Sequence, residues 1–368
     1  MRVFTRVGGA FCFCALFFWG GCSHLRVPGL SWMKMASPWP KATEEEKLRE
    51  KAVEGDAASQ YMLGFSLLYG DGLPRNIDEG LTWLRKSGKG GYLKAQTSLG
   101  LLFLKGIPDV PKNEAEAAEW LEKAAVQGSP VAQSHLGALC LSKESPMRDP
   151  EAGVVWLKRA AGQGDVTAQL TLGLMYHKGY VVAQNDEESV RWYRRASDQG
   201  HKDGQTQLGI AYYRGKGVAQ SFEEARKRFE LAAAQGDALA MSNLGVMASR
   251  GEGMPKDEAG AVAWFRKAAE RGNDDGQSNL GAAYYKGIGV KQDFAEAVNW
   301  FRQAAEQGNA GAQFRLGVMR AGGLGGTADV AEAAKWIGKA AGQDYPPAVK
   351  WLKEKAGNNE KESLNGER

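Results

Sequence analysis

Catalysis needs reactive side chains gathered at short range, so the histidines, cysteines and glycine runs are the natural starting point. The four histidines are His24, His135, His177 and His201. They are scattered along the chain, with no His-Glu-x-x-His pair and no carboxylate at ligand spacing. The run Gly322-Gly323-Leu324-Gly325-Gly326 is rich enough in glycine to cradle a phosphate, but it lacks the lysine and the preceding strand that such a loop requires. Cys140 has nothing basic beside it to lower its pKa, so it reads as a small core residue. The expectation is a protein without catalytic residues, cofactor or metal, which acts by binding.

If no group of residues supplies chemistry, the order of the chain must explain it, and that order is periodic. Leu-Gly pairs place glycines at Gly64, Gly100, Gly137, Gly173, Gly209, Gly245, Gly281 and Gly317, in steps of 36 residues with a single step of 37. A second column follows at Trp83, Trp120, Trp156, Trp192, Trp264, Trp300 and Trp336. Arg228 interrupts it, and Phe229 is expected to take over the packing there. Alanine pairs and closing glycines recur behind it, as at Ala304-Ala305 and Gly308. Self-similarity at this period marks a stacked array, here eight helix–turn–helix units in an all-α solenoid. The 48 glycines against 12 prolines suit many turns between short helices.

Residues 272–308 show how one unit is built. Gly272 closes the preceding helix in a left-handed cap, and Asn273 and Asp274 can cap the next. Helix A is expected over about Gly276–Tyr285, with Gln277, Leu280, Gly281 and Tyr284 on one face. A mid-helix glycine costs about 1 kcal/mol relative to alanine, so Gly281 implies a closely approaching neighbour. Asp293 caps helix B, which presents Trp300 and Phe301 as large knobs beside small alanines. Glu44–Glu54 resembles a polar helix B with Lys47 at the tryptophan position, and Ala348, Val349 and Leu352 keep the helix A register at the other end. The array is therefore expected over 43–356, followed by a disordered polar tail, 357–368.

A candidate binding surface runs along the A helices. Five residues beyond the glycine stand Lys105, Lys178, Arg214, Arg250 and Lys286, seven residues from a polar column that includes His135, Gln207, Asn243 and Asn279. That spacing puts both columns on one helix face. Such a basic row suits an acidic partner segment. The same cations also complement the helix dipole in the last turn and need no ligand for that role. The aromatic column Tyr213 and Tyr285, with His177, is expected to pack between repeats.

The first residues look like a targeting signal. Arg2 and Arg6 precede an uncharged, mostly apolar stretch from Val7 to Trp19, too short to span a bilayer with ease. Gly20-Gly21-Cys22 resembles the lipobox of bacterial lipoproteins, although Trp19 departs from its usual leucine. The resemblance implies a signal peptide over 1–21, lipidation at Cys22, a proline-containing tether over 22–42 and, with Ser23 next, an outer-membrane lipoprotein facing the periplasm. Loss of Arg2 and Arg6 with the signal brings the formal charge of +4 closer to neutral, which gives no global electrostatic case for nucleic acid. Cys12 and Cys14 would leave with the signal, so Cys140 would be the remaining free thiol, without a disulfide framework or metal cluster.

The repeat itself resembles the Sel-one-like family, a relative of the tetratricopeptide repeats. Ala168-Gln169-x-x-Leu172-Gly173-x-x-Tyr176-x-x-Gly179 matches its helix A, and Asp293-x-x-x-Ala297-x-x-Trp300-x-x-x-Ala304-Ala305-x-x-Gly308 matches its helix B. The resemblance implies a right-handed superhelix of helix pairs whose A helices line the concave side, serving as a non-enzymatic protein–protein scaffold. A cysteine-rich branch is linked to penicillin binding and β-lactam hydrolysis, but its paired cysteines are missing here. A β-lactamase-like or peptidoglycan-binding protein, or a secreted effector that binds host proteins, are the alternatives.

Overall fold

The computed structural model describes residues 42–355. These divide into two compact units, with the chain boundary between Asn185 and Asp186. The first holds α1 (Ala42–Glu54), α2 (Ala57–Tyr69), α3 (Ile77–Lys89), α4 (Leu93–Lys105), α5 (Glu114–Val126), α6 (Pro130–Leu141), α7 (Pro150–Gly162) and α8 (Val166–Lys178). The second holds α9 (Asp186–Asp198), α10 (Lys202–Arg214), α11 (Phe222–Ala234), α12 (Ala238–Arg250), α13 (Glu258–Glu270), α14 (Asp274–Lys286), α15 (Phe294–Glu306), α16 (Ala310–Ala321) and α17 (Val330–Ala341), then a helical segment over 346–355. Even-numbered helices to α16 are the A helices of successive repeats, and odd-numbered helices from α3 are the B helices. Each unit is all-α and stacks helix pairs as a solenoid does. Cys22, the signal segment, the tether to residue 41 and the tail 357–368 lie outside the described residues.

The helices begin and end where local chemistry stops them. Asn273 caps α14 through the Gly276 amide, so Asp274, expected as a possible cap, is instead the first helical residue. The A helix starts two residues earlier than expected and ends at Lys286, because the Asn273 cap and the left-handed Gly287 set its limits. Asp293 caps α15 through the Ala295 and Glu296 amides, as expected. The 37-residue step comes from the α4–α5 loop, where an isolated antiparallel bridge joins Ile107 to Val110 around Asp109.

Along the glycine column the A helix approaches its own B helix closely. A Cβ on Gly281 would stand 2.9 Å from the Phe301 ring, one on Gly245 2.6 Å from Phe265, and one on Gly317 2.6 Å from Ile337. In the first unit Gly64, Gly100 and Gly137 make the same room for Leu84, Leu121 and Leu157. The core residue is thus the one after the tryptophan, and it is essentially fully buried in every repeat. This corrects the equal standing expected for Trp300 and Phe301, and it changes the meaning of Arg228. Phe229 does not compensate for a lost tryptophan, because its position is the packing position throughout.

The tryptophans sit further out, where they can keep the indole N–H in a hydrogen bond. Trp83, Trp120, Trp300 and Trp336 donate to Glu79, Glu116, Glu296 and Glu332, one turn earlier. A cation three residues on covers the ring in several repeats, with Lys267 4.4 Å from the Trp264 centroid and Lys339 4.5 Å from that of Trp336. At the ends, Ala52 and Ala348 are fully buried, and Leu48 packs with Leu63 and Leu67. Leu48 follows Lys47 as Leu84 follows Trp83, so the end helix keeps the packing register.

Candidate interaction face of the A helices

Two sets of polar clamps hold the A helices in place. The first is a glutamine relay. Four residues before the glycine, Gln96, Gln133, Gln277 and Gln313 donate to carbonyls of the preceding B helix, at Gly88, Ala125, Ala269 and Ala305. Each then accepts a hydrogen bond from the glutamine that ends its own B helix: Gln127, Gln163, Gln307 and Gln343, at 2.6–2.8 Å. These side chains are buried at the helix A end, where a lost amide partner is costly. One glutamine therefore ties three helices across two repeats.

The second clamp couples the residue two after the tryptophan to the A helix of the next repeat. Arg85 lies over Phe103, Lys158 over Tyr176, Arg194 over Tyr212 and Arg266 over Tyr284. Arg194 and Arg266 also donate to their tyrosine hydroxyls. Where the aromatic is replaced by Cys140 or Ala248, the cation gives way to Glu122 or Glu230. Glu122, Asp149 and above all burial push the Cys140 thiol up, away from the reactive thiolate. Cys140 is buried, in line with the reading of it as a core residue.

Between neighbouring A helices the contacts follow a rule. The residue two before the glycine, or five after it, reaches the A helix of the preceding repeat. Ser98 meets the Tyr61 hydroxyl at 3.3 Å, Arg315 donates to Ser278, and Arg250 donates to the Tyr213 hydroxyl at 2.9 Å. His135 faces Lys105 in the same way. Burial first, and then the Lys105 charge, hold its imidazole down at about 4, so it is neutral near pH 7.

The basic row is distributed over the two units. Lys105 and Lys178 end α4 and α8 in the first, while Arg214, Arg250 and Lys286 end α10, α12 and α14 in the second. Burial lowers the pKa of Lys105 and of Arg214. Lys105, Lys178 and Lys286 make no ion pair among the described residues. Arg250 is engaged: it lies 3.6 Å from Glu252, and the Tyr213 hydroxyl donates to Glu252 at 2.5 Å. Burial and the Glu252 bond raise the Tyr213 pKa to about 12, leaving the hydroxyl protonated. Tyr213 packs edge-on against Phe222 and Tyr285 at a tilt against Phe294, each within its own repeat, 5.3 and 5.6 Å between centroids. Sequence reasoning overlooked the glutamine relay, though its signal was present: one glutamine four before the glycine and another at the closing turn, 30 or 31 residues apart.

No group of three or more histidine, cysteine, aspartate or glutamate side chains among the described residues could hold a metal ion, and no helix among them is long and apolar enough to cross a membrane. The Sel1 repeat family model matches residues 57–92, 93–129, 130–165, 166–201, 202–237, 238–273, 274–309 and 310–345. Among solved structures the chain is similar to a Sel1 repeat protein from Oxalobacter formigenes, at 37% identity and a TM-score of 0.66, covering 85% of this chain and 90% of that one. It is also similar to c5321, a protective antigen of uropathogenic Escherichia coli strains that displays an SLR fold, at 30% identity and a TM-score of 0.47, covering 80% and 79%. A comparison with curated proteins finds no match. With eight contiguous repeats spanning the described helices, the chain belongs to the Sel1 repeat family, whose members are protein–protein interaction scaffolds.

Proposed function

We propose that this protein is a non-enzymatic adaptor of the cell envelope, held at the outer membrane by a lipid on Cys22 and facing the periplasm, where its A helices engage an acidic segment of a partner protein. The observation that carries the binding part is the set of cations that end the A helices within each unit, with Lys105 and Lys178 of the first and Lys286 of the second left without a carboxylate among the described residues. Arg214 and Arg250 precede Lys286 in the same row of the second unit. Charge in that position attracts an acidic chain and speeds its encounter, with a strong dependence on salt.

Two measurements test the two halves. Metabolic labelling with a palmitate analogue should mark the wild-type chain and spare Cys22→Ala; equal labelling would remove the anchor. Reversing Lys105, Lys178 and Lys286 to glutamate should abolish recovery of the partner in affinity capture while leaving the helical circular dichroism intact. Unchanged recovery would remove the basic row from the interface.

A further inference from the structure

An acid stands among the cations that end the A helices of the second unit. Seven residues beyond the glycine, the turn after the A helix carries Lys216 in repeat 5, Glu252 in repeat 6, Ile288 in repeat 7 and Leu324 in repeat 8. Glu252 reaches out of its own repeat. Its carboxylate accepts from the Tyr213 hydroxyl of α10 and lies 3.6 Å from the Arg250 guanidinium at the end of α12. Arg250 donates to the same Tyr213 hydroxyl at 2.9 Å. Three side chains from two repeats thus meet at one point of the basic row.

The members of this cluster differ in freedom. Tyr213 is buried and fixed against the Phe222 ring. The Glu252 backbone is fixed as well. Gly251 closes α12 in the left-handed region, the Glu252 amide donates to the Met247 carbonyl, and a Cβ on Gly253 would strike the Phe222 carbonyl at 2.6 Å. The side chains of Arg250 and Glu252 are 33% and 25% exposed, so a ligand in solution can reach both. Glu252 can therefore leave by rotating its own side chain, while the phenol and the turn stay in place.

Its hold is also incomplete. At 3.6 Å the carboxylate lies beyond hydrogen-bond reach of the guanidinium, which donates to the phenol. A carboxylate on an untethered chain can pair closely with the guanidinium and still accept from the phenol. One repeat on, Lys286 offers a further cation that no carboxylate among the described residues engages. Glu252 therefore displays the chemistry that this position takes.

We propose that Arg250 and Tyr213 form a binding site for a side-chain carboxylate of the acidic partner segment, and that Glu252 is an internal competitor which occupies the site until that carboxylate displaces it. The proposal rests on the reading of the basic row as the partner-binding face, and adds to it a defined site and a built-in brake on affinity.

The test is fluorescence anisotropy of a labelled hexaglutamate peptide, blocked at both ends so that its carboxylates are side chains, against the full chain at neutral pH and low salt. Glu252→Gln should bind about fivefold more tightly than wild type. Arg250→Gln should weaken binding, and Glu252→Gln should bring no gain in that background. Glu258→Gln removes an equal charge from an exposed ion pair with Lys256 and should change little. A gain equal to that of Glu258→Gln, or one that survives Arg250→Gln, would reduce the effect to bulk charge and overturn the proposal. No gain from Glu252→Gln, with binding still lost in Lys286→Glu, would overturn the competitor and leave the basic row standing. Absence of binding in every variant would overturn both.

Discussion

Repeats 6 and 7 lie side by side in the second unit and share a backbone plan, yet they are held by different chemistry. Both keep the close approach of glycine to a phenylalanine, Gly245 to Phe265 and Gly281 to Phe301. Repeat 7 adds the full polar set: Gln277 and Gln307 in the relay, Trp300 donating to Glu296, and Arg266 on Tyr284. Repeat 6 has Met241 in place of the relay glutamine, Arg271 at its closing turn, Gly260 in place of the tryptophan's glutamate, and Ala248 in place of the tyrosine, with Glu230 at the register position of its cation. It compensates with apolar fit: Met241, Val246, Met247 and Ala248 are all buried. The difference separates what the fold requires from what it tolerates. The approach of glycine to a large apolar side chain is required, whereas the hydrogen-bonded clamps can be exchanged for packing.

The largest effect should come from the shared contact. Phe301→Ala and Phe265→Ala should each cost about 3–5 kcal/mol in chemical denaturation, by cavity formation in a fully buried site. A much smaller cost in repeat 6 would mean that its contact is not equivalent. Next comes Gly281→Ala, which should destabilise by about 1–3 kcal/mol through overpacking against Phe301, even though alanine favours the helix by about 1 kcal/mol. Gly338→Ala is the matched control, since a Cβ there meets nothing within 4 Å, and it should be stabilising. Gln277→Ala should cost about 1–3 kcal/mol by removing its hydrogen bonds to the Ala269 carbonyl and from the Gln307 amide. Met241→Ala would strand no polar group, so its cost should follow lost volume alone.

Smaller effects probe the first unit. The folded pKa of His135 lies below its unfolded value of about 6.5, so the unfolded chain binds the proton more readily. Its contribution is present above pH 6.5 and lost as pH falls toward 4. Wild type should therefore lose stability relative to His135→Ser across that window, and parallel pH profiles would argue against burial of a neutral imidazole. Val181 adopts φ 63 at a turn position where Gly217 and Gly289 serve in the second unit. A β-branched residue is strained there, so Val181→Gly should raise stability by about 1 kcal/mol.

The period, the caps and the turn glycines were legible because each depends on a few adjacent residues. Asp293 and Gly287 act locally, and their types suffice. The rank of Trp300 and Phe301 was not legible, since both are large and apolar and only the position of Gly281 across the helix pair shows which one it admits. Arg228-Phe229 held the clue: the tryptophan could be lost while the next residue stayed aromatic. Of the cation row, the positions were legible and the surroundings were not. The engagement of Arg250 depends on Tyr213, 37 residues away, and on Glu252 in the following turn.

The central claim is that a protein partner lies along the A helices and is held there by the basic row. Site-specific photocrosslinking from Asn279, between Arg250 and Lys286 on that face, tests it most directly in the intact cell. The account predicts one discrete protein adduct, weakened as salt is raised and lost when Lys286 is reversed to glutamate. An adduct indifferent to both changes, or one formed equally from Lys335 on the exposed B-helix side, would contradict it.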